Sequence, residues 1–371
     1  MKRPSLESIE IFERFRVPRT PSRNGQYSFI SMKSMRFAGP KVGWAVGGGK
    51  VLTTIDGGYR WKVRHLSGPV ARYTGHEAAC PIDAQRCALL VGLGSDEVGC
   101  FLTSDGGETW KAIFRCRDTP YLNLYGDVLF ADPHCGWVLT GAVHKEQVKA
   151  VLHRTEDGGV TWTSNDLGLR GAPTRLVFSG ASEGWLLETV ERGRWKKRLV
   201  RVHYTNDGGQ EWRSLSTMRG DAVDIYAAGG GTLFLTGWNG LFARSADGGR
   251  NWSRILPRSS FCISSVHLKG PTGLAVGTKP RVRTSEDILL LVSHDRGASW
   301  RRLESPVAMP LWDVYLTAWD RGVLTHTEGI LQFRLLATPL GNQTEVSLTS
   351  SIANTTTRAA GHPRIRPGSA R

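Results

Sequence analysis

Long apolar runs are missing from this chain. Its greasiest stretches, "ALLVGL" (88–93) and "ILLLV" (288–292), are far too short to cross a bilayer as helices. The opening residues, "MKRPSLESIEIFERFRVP", start basic, but Glu7, Glu10 and Glu13 interrupt them before any secretory apolar core forms. A soluble, cytoplasmic protein without a membrane span is expected. Cysteine is also sparse, with six residues in 371. No two are spaced as Cys-x-x-Cys and no His stands at zinc-finger spacing, so no metal is expected. The cysteines read as reduced, mostly buried thiols, with a Cys80–Cys87 loop disulfide as an open alternative. There is no phosphate-loop glycine spacing, no zinc helix motif and no nucleophile elbow. His76, His267 and His326 stand without a legible catalytic partner, so no cofactor is expected. Acidic residues are in deficit, 33 against 48 basic, which gives a net charge of +15. That excess suits nucleic acid, an anionic lipid surface or an acidic protein, and it says nothing about fold.

Glycine and tryptophan, by contrast, are abundant at 44 and 13 residues. Many of them fall in one phrase. "TTIDGGYRW" (53–61) has five companions: "TSDGGETW" (103–110), "TEDGGVTW" (155–162), "TNDGGQEW" (205–212), "SADGGRNW" (245–252) and "SHDRGASW" (293–300). Their aspartates, Asp56, Asp105, Asp157, Asp207, Asp247 and Asp295, are 49, 52, 50, 40 and 48 residues apart. Self-similarity at such a period marks a repeat architecture. The terminal tryptophans are Trp61, Trp110, Trp162, Trp212, Trp252 and Trp300.

The flanks repeat as well. A Gly-Trp or its equivalent lies about ten residues before several boxes, as in "VGWAVGGGKVLTT", "CGWVLTG" and "EGWLLET". Before it comes an alternating segment such as "YGDVLFA", "TRLVFSG" or "DAVDIYAA". Alternation over five to eight residues between turn residues is the strand signal. One unit therefore reads as strand a, turn, strand b, loop, strand c, box, strand d. A four-stranded unit cannot cover its own faces, but units stacked radially bury one another, and closing the ring protects the edges. The expected fold is an all-β, seven-bladed β-propeller of four-stranded antiparallel blades, with six blades as the fallback. The units fall at about 28–66, 74–115, 121–167, 173–217, 221–257, 260–305 and 311–336. The last unit lacks a fourth strand, and "HTEGILQF" (326–333) is only a ghost of a box. The segment "IEIFERFRV" (9–17) is expected to supply the missing outer strand and close the ring. Residues 1–337 then form one domain, and the Ser/Thr-rich segment 338–371 is expected to be a flexible basic tail.

The box chemistry is that of a turn. An aspartate can accept backbone N–H groups and glycine tolerates positive φ. The second glycine is present in all six copies, while Arg296 replaces the first in the last copy, so the second position is the stricter. Six similar carboxylates spaced around a ring point to six places. The structural reading therefore outranks the catalytic one, and a calcium site would need more oxygen ligands than one turn supplies.

These boxes, also called bacterial neuraminidase repeats, resemble those of sialidases, sortilin-type receptors and some glucanases. The fuller phrase "GWAVGGGKVLTTIDGGYRW" (43–61) is most similar to the photosystem II stability and assembly factor (YCF48-like) propellers, over roughly residues 28–336. That resemblance implies a non-enzymatic, seven-bladed assembly platform with an arginine-rich surface that binds a partner protein. The more distant sialidase resemblance rests on "FRVP", Phe15 to Pro18, and implies a glycoside hydrolase using Arg16 as a substrate-carboxylate clamp. It also requires a Tyr–Glu nucleophile pair, and the one late tyrosine, Tyr315, has no evident glutamate.

Boxes on one face place the b–c loops on the other. Blade 4 carries "ETVERGRWKKRLVRVHY" there, with Arg192, Arg194, Trp195, Lys196, Lys197, Arg198 and Arg201. Blade 6 carries "GTKPRVRTSED", with Lys279, Arg281 and Arg283, and blade 3 carries "HKEQVKA". This face is expected to dock an acidic protein surface electrostatically, with Trp195 and Trp238 as anchors. The chain is expected to be a monomeric, non-catalytic scaffold. Nucleic acid is the alternative partner, because basic and aromatic residues mingle in "RGRWKKRLVRVHY".

Overall fold

A computed structural model describes residues 6–16, 34–47, 50–66, 70, 77–93, 97–117, 125–144, 147–192, 197–326 and 329–337. The segment 338–371, the tip residues Arg194, Trp195 and Lys196, and His76 lie outside them. So do Val17 and Pro18.

Among the described residues, twenty-eight strands form seven four-stranded antiparallel sheets. Blade 1 is β2 (Ser34–Ala38), β3 (Val42–Gly47), β4 (Lys50–Thr54) and β5 (Lys62–His65). Blade 2 is β6 (Glu77–Pro81), β7 (Cys87–Gly92), β8 (Val98–Thr103) and β9 (Lys111–Cys116). Blade 3 is β10 (Tyr125–Phe130), β11 (Gly136–His144), β12 (Gln147–Thr155) and β13 (Thr163–Asp166). Blade 4 is β14 (Ala172–Ser179), β15 (Glu183–Arg192), β16 (Lys197–Thr205) and β17 (Arg213–Arg219). Blade 5 is β18 (Ala222–Gly229), β19 (Thr232–Gly237), β20 (Phe242–Ser245) and β21 (Ser253–Arg254). Blade 6 is β22 (Cys262–Lys269), β23 (Thr272–Thr278), β24 (Ile288–Ser293) and β25 (Arg301–Leu303). Blade 7 is β26 (Leu311–Ala318), β27 (Arg321–His326), β28 (Gly329–Ala337) and β1 (Leu6–Arg16). The first strand of each blade touches those of both neighbours, so the seven inner strands close a ring.

Closure by the N-terminus follows from blade 7. Its first three strands come from the end of the propeller segment, and β1 pairs with β28 from Leu6↔Ala337 to Arg16↔Gly329. The expected box-like phrase 326–333 is not at a c–d turn. His326 and Gly329 pair with each other where β27 turns into β28, a b–c position. Blade 7 has no box because no covalent turn joins its third and fourth strands.

The core is divided by seam. Seven apolar clusters exist among the described residues, and each spans two adjacent blades. Trp44 joins blades 1 and 2, Trp137 joins 3 and 4, and Trp185 joins 4 and 5. Strands b and c are covered on both faces, so β7, β23 and β24 are buried at every position. Outer strands such as β9 keep exposed residues. Stability is thus shared between neighbours around a circle, as in other repeat folds. All six cysteines are free, five of them buried, so Cys80 and Cys87 carry no disulfide.

Candidate functional site

Each box is a self-contained hydrogen-bond unit. The leading hydroxyl of Thr54, Thr103, Thr155, Thr205, Ser245 or Ser293 is buried. It donates to the box aspartate at 2.7–2.8 Å. It also accepts the N–H of the second glycine at 2.8–3.0 Å. The carboxylate turns back onto its own loop. Asp157 Oδ1 accepts the N–H groups of Val160 and Thr161 at 3.0 and 2.9 Å, and Oδ2 accepts the Thr161 hydroxyl at 2.6 Å. The box tryptophan donates its Nε1–H to the second glycine's carbonyl in five copies; the exception is Trp110, whose ring packs edge-on against Trp44. The backbone N–H at the first glycine position donates to the a–b turn of its own blade, at 2.8–2.9 Å in every copy.

The boxes also fasten blades together. Trp137 and Trp185 donate across the seam to Gly208 and Gly248 carbonyls, and Gln332 donates to that of Gly58. These carboxylates serve turns. Thr161 bonding holds the Asp157 carboxyl near a pKa of about 2. A depressed pKa contributes stability above the unfolded value, near 3.9, that is lost as pH falls through about 2. Asp157→Ala is therefore expected to lower Tm modestly at pH 7, with the difference from the parent vanishing near pH 2. Thr155→Val, which strips a buried hub, is expected to cost more, about 1–3 kcal/mol. Melting curves across that pH range check both, and a pH-independent Asp157→Ala deficit would contradict the turn role.

A second constellation lies on the ring axis. Arg36 from β2 donates to Asp127 on β10 at 3.1 Å. Arg175 on β14 pairs with Asp127 at 3.6 Å and donates to Asp224 on β18 at 2.6 Å. Ser265 on β22 donates to Asp313 on β26 at 2.6 Å. Asp127, Arg175, Asp224, Ser265 and Asp313 occupy equivalent positions on successive inner strands, and Ala78 holds that position in blade 2. Arg36 spans the gap that Ala78 leaves. In blades 4 to 7 a register shift precedes the axial residue, so each side chain is aimed by a bulge. Burial, reinforced by Asp224, pushes the Asp313 carboxyl up to about 6. These residues were not singled out in the sequence, although each stood as the polar residue before an apolar one in the alternating segments.

On the face opposite the boxes, the blade 4 hairpin is less free than its composition suggests. Its register sets Glu191 opposite Arg198 and Glu188 opposite Arg201. Arg198 bonds Glu191 at 3.2 Å and also Asp221, and Arg201 reaches buried Glu188 at 3.4 Å. The side chains of Arg192 and Lys197 lie outside the described residues. In blade 6, Lys279 bonds Asp287 at 2.8 Å and sits over the Phe261 ring, while Arg281 and Arg283 are exposed. Beside the blade 4 hairpin, between blades 4 and 5, runs a groove of about 1050 Å³, lined by Arg198, Arg219, Trp238, Arg254 and Arg258 with Asp221. Trp238 is 45% exposed at its edge. Arg219, Arg254 and Arg258 come from strand ends and connections, where single charges gave no signal in the sequence.

Arg16 sits at the end of β1, the outermost strand of blade 7, and Tyr315 stacks between Phe37 and His267 with its hydroxyl bonded to the Gly39 carbonyl. The two residues of the sialidase resemblance are therefore not assembled. Among the described residues no three His, Cys, Asp or Glu side chains gather as a metal site, and no helix is long and apolar enough to cross a membrane.

No family model and no curated protein matches the sequence. Solved structures do match in fold. A structure of YCF48 bound to D1 peptide superposes with a TM-score of 0.60 at 18% identity, covering 91% of this chain and all of that one. YCF48 from Cyanidioschyzon merolae gives 0.58 at 17% identity, covering 85% and 98%. The GH74 xyloglucanase from Xanthomonas campestris gives 0.62 at 18% identity, covering 84% of this chain and 53% of the enzyme. The chain shares the propeller architecture of YCF48.

Proposed function

We propose that this protein is a non-catalytic binding scaffold that docks an acidic protein on the face opposite its boxes. The observation that carries the reading is the arc of exposed arginines there, Arg219, Arg258, Arg281 and Arg283, whose guanidinium groups have no carboxylate partner among the described residues. Such unneutralised charge steers encounter and fixes orientation. A protein of the same fold, YCF48, binds a peptide, which supports a protein rather than a sugar as partner. Every box carboxylate bonds back onto its own turn, so the most numerous candidate catalytic acids already serve structural partners.

The test is nuclease-treated affinity capture. Bound protein is expected to persist after nuclease, and Arg281→Glu with Arg283→Glu is expected to reduce recovery at least several-fold without changing Tm. Loss of bound material on nuclease treatment would point to nucleic acid. Unchanged recovery by the double variant would remove this arc from the interface.

A further inference from the structure

The groove between blades 4 and 5 has a shape and a charge that call for a more compact anion than a peptide edge. Its walls arise from unequal hairpins. The b and c strands of blade 4 run ten and nine residues, and those of blade 5 only six and four. Blade 5 turns at Asn239-Gly240, both with positive φ (56° and 67°), and Leu241 N–H closes the turn onto Trp238 O at 3.1 Å. That is the two-residue hairpin that Asn-Gly favours. The floor is pinned from three sides. Trp238 N–H donates to Asp221 O at 2.9 Å, Gly240 N–H to Phe261 O at 2.7 Å, and Ser259 N–H to Asn239 O at 3.3 Å. A Cβ on Gly240 would stand 2.5 Å from Ser259 Oγ, so the close approach needs glycine.

The charge in this groove is concentrated and uncompensated. Asp221, its one lining acid, is taken by Arg198. Arg254 donates only to the Leu256 and Gly240 carbonyls, at 3.4 and 3.2 Å. Arg219, Arg254 and Arg258 have no carboxylate partner among the described residues. Burial, and then the charge of Arg258, disfavour the charged form of Arg254. The Ser259 hydroxyl is buried and has no hydrogen-bond partner. Carboxylates on one edge of an extended peptide are about 6.6–6.8 Å apart, two residues of strand rise. A phosphoryl chain puts its charges on neighbouring atoms and accepts guanidinium forks. Beside the arginines stands the half-exposed Trp238, an aromatic side chain of the kind on which bases stack.

We propose that this groove binds a nucleoside polyphosphate, its phosphates held by Arg219, Arg254 and Arg258 and its base against Trp238. The site shares Arg219 and Arg258 with the docking arc but does not depend on the protein-docking reading, which Arg281 and Arg283 test separately. The groove's volume, about 1050 Å³, lies at the upper end of ordinary ligand pockets, roughly 300–1,000 Å³, so a nucleotide fits.

Calorimetric titration of the full chain at low salt with ATP, tripolyphosphate, adenosine and hexaglutamate tests it. ATP is expected to bind about tenfold or more tighter than tripolyphosphate, the increment of one stacked base. Adenosine is expected to give no measurable heat. Trp238→Ala should bring ATP down to the tripolyphosphate level. Arg219→Glu with Arg258→Glu should abolish binding, with the Gln pair as the second variant should the Glu pair not fold. Arg281→Glu with Arg283→Glu, on blade 6, should bind ATP as the parent does. ATP binding no tighter than tripolyphosphate would overturn the proposal. So would hexaglutamate binding tighter than ATP, or unchanged ATP binding after loss of Arg219 and Arg258.

Discussion

Gly297→Ala is expected to destabilise the protein by about 3 kcal/mol, whereas Arg296→Gly, one residue earlier, should leave stability unchanged or raise it by up to about 1 kcal/mol. Both positions have left-handed backbone, with φ of 77° at Gly297 and 59° at Arg296. The difference lies in what surrounds them. A Cβ on Gly297 would enter the ring of Phe234 on the preceding blade, and that ring also packs edge-on against Trp300. The left-handed conformation costs a side chain about 1–2 kcal/mol, and overpacking a full seam adds about 1–3 kcal/mol. Arg296 bears the first cost alone, because its side chain points to solvent while its N–H holds the Pro271 carbonyl at 2.9 Å. Urea unfolding of the two variants measures the contrast. A Gly297→Ala loss no larger than about 1–2 kcal/mol, the cost of the left-handed backbone alone, would mean that φ, not the seam, makes the second glycine strict.

The same comparison explains what was legible in the sequence. The box writes its hydrogen bonds within eight residues of chain, from Thr155 to Trp162, so six copies display the rule and its one exception. Blade count and closure were legible for a related reason. A unit ending in strand c without a partner demands a donor, and the apolar alternation of 9–17 is a strand without a blade; the strand itself runs Leu6–Arg16. The phrase at 326–333 resembles a box only by letters, and its position in the a–b–c order puts it at the b–c turn.

Charge on the b–c face was legible only as composition. Register decides whether an arginine is free, and the hairpin of blade 4 sets Arg198 and Arg201 directly across from acids. Counting back from the hairpin tip would have paired them. The groove arginines belong to Met218-Arg219, Arg254 and Arg258, whose closeness exists only after blades 4 and 5 stack. The axial chain is more distant still. Arg36 on blade 1 and Asp127 on blade 3 have a whole blade of sequence between them and meet because Ala78, on that blade, leaves space.

That axial chain carries the second large effect. Arg175→Met is expected to cost about 3 kcal/mol at pH 8, because it strands carboxylates that its guanidinium now joins. Asp127 is 2% exposed and would keep only Arg36, and Asp224 would lose its guanidinium partner. The deficit should shrink as pH falls toward 4. A buried carboxylate without its cation favours the protonated form, so the variant recovers where protons are plentiful. Asp313 supplies the internal control. Its carboxyl, raised to about 6, binds a proton that the unfolded chain, near 3.9, has already released. The parent therefore loses stability as pH rises from about 4 to about 6. Asp313→Asn keeps an oxygen for the Ser265 hydroxyl, removes the charge beside Asp224, and should flatten that slope and match or exceed the parent at pH 8. Thermal unfolding from pH 4 to pH 8 on the parent and the two variants separates these terms. An Arg175→Met deficit that stays constant with pH, or an Asp313→Asn variant weaker than the parent at pH 8, would show that the axis is held by packing and not by its chain of charges.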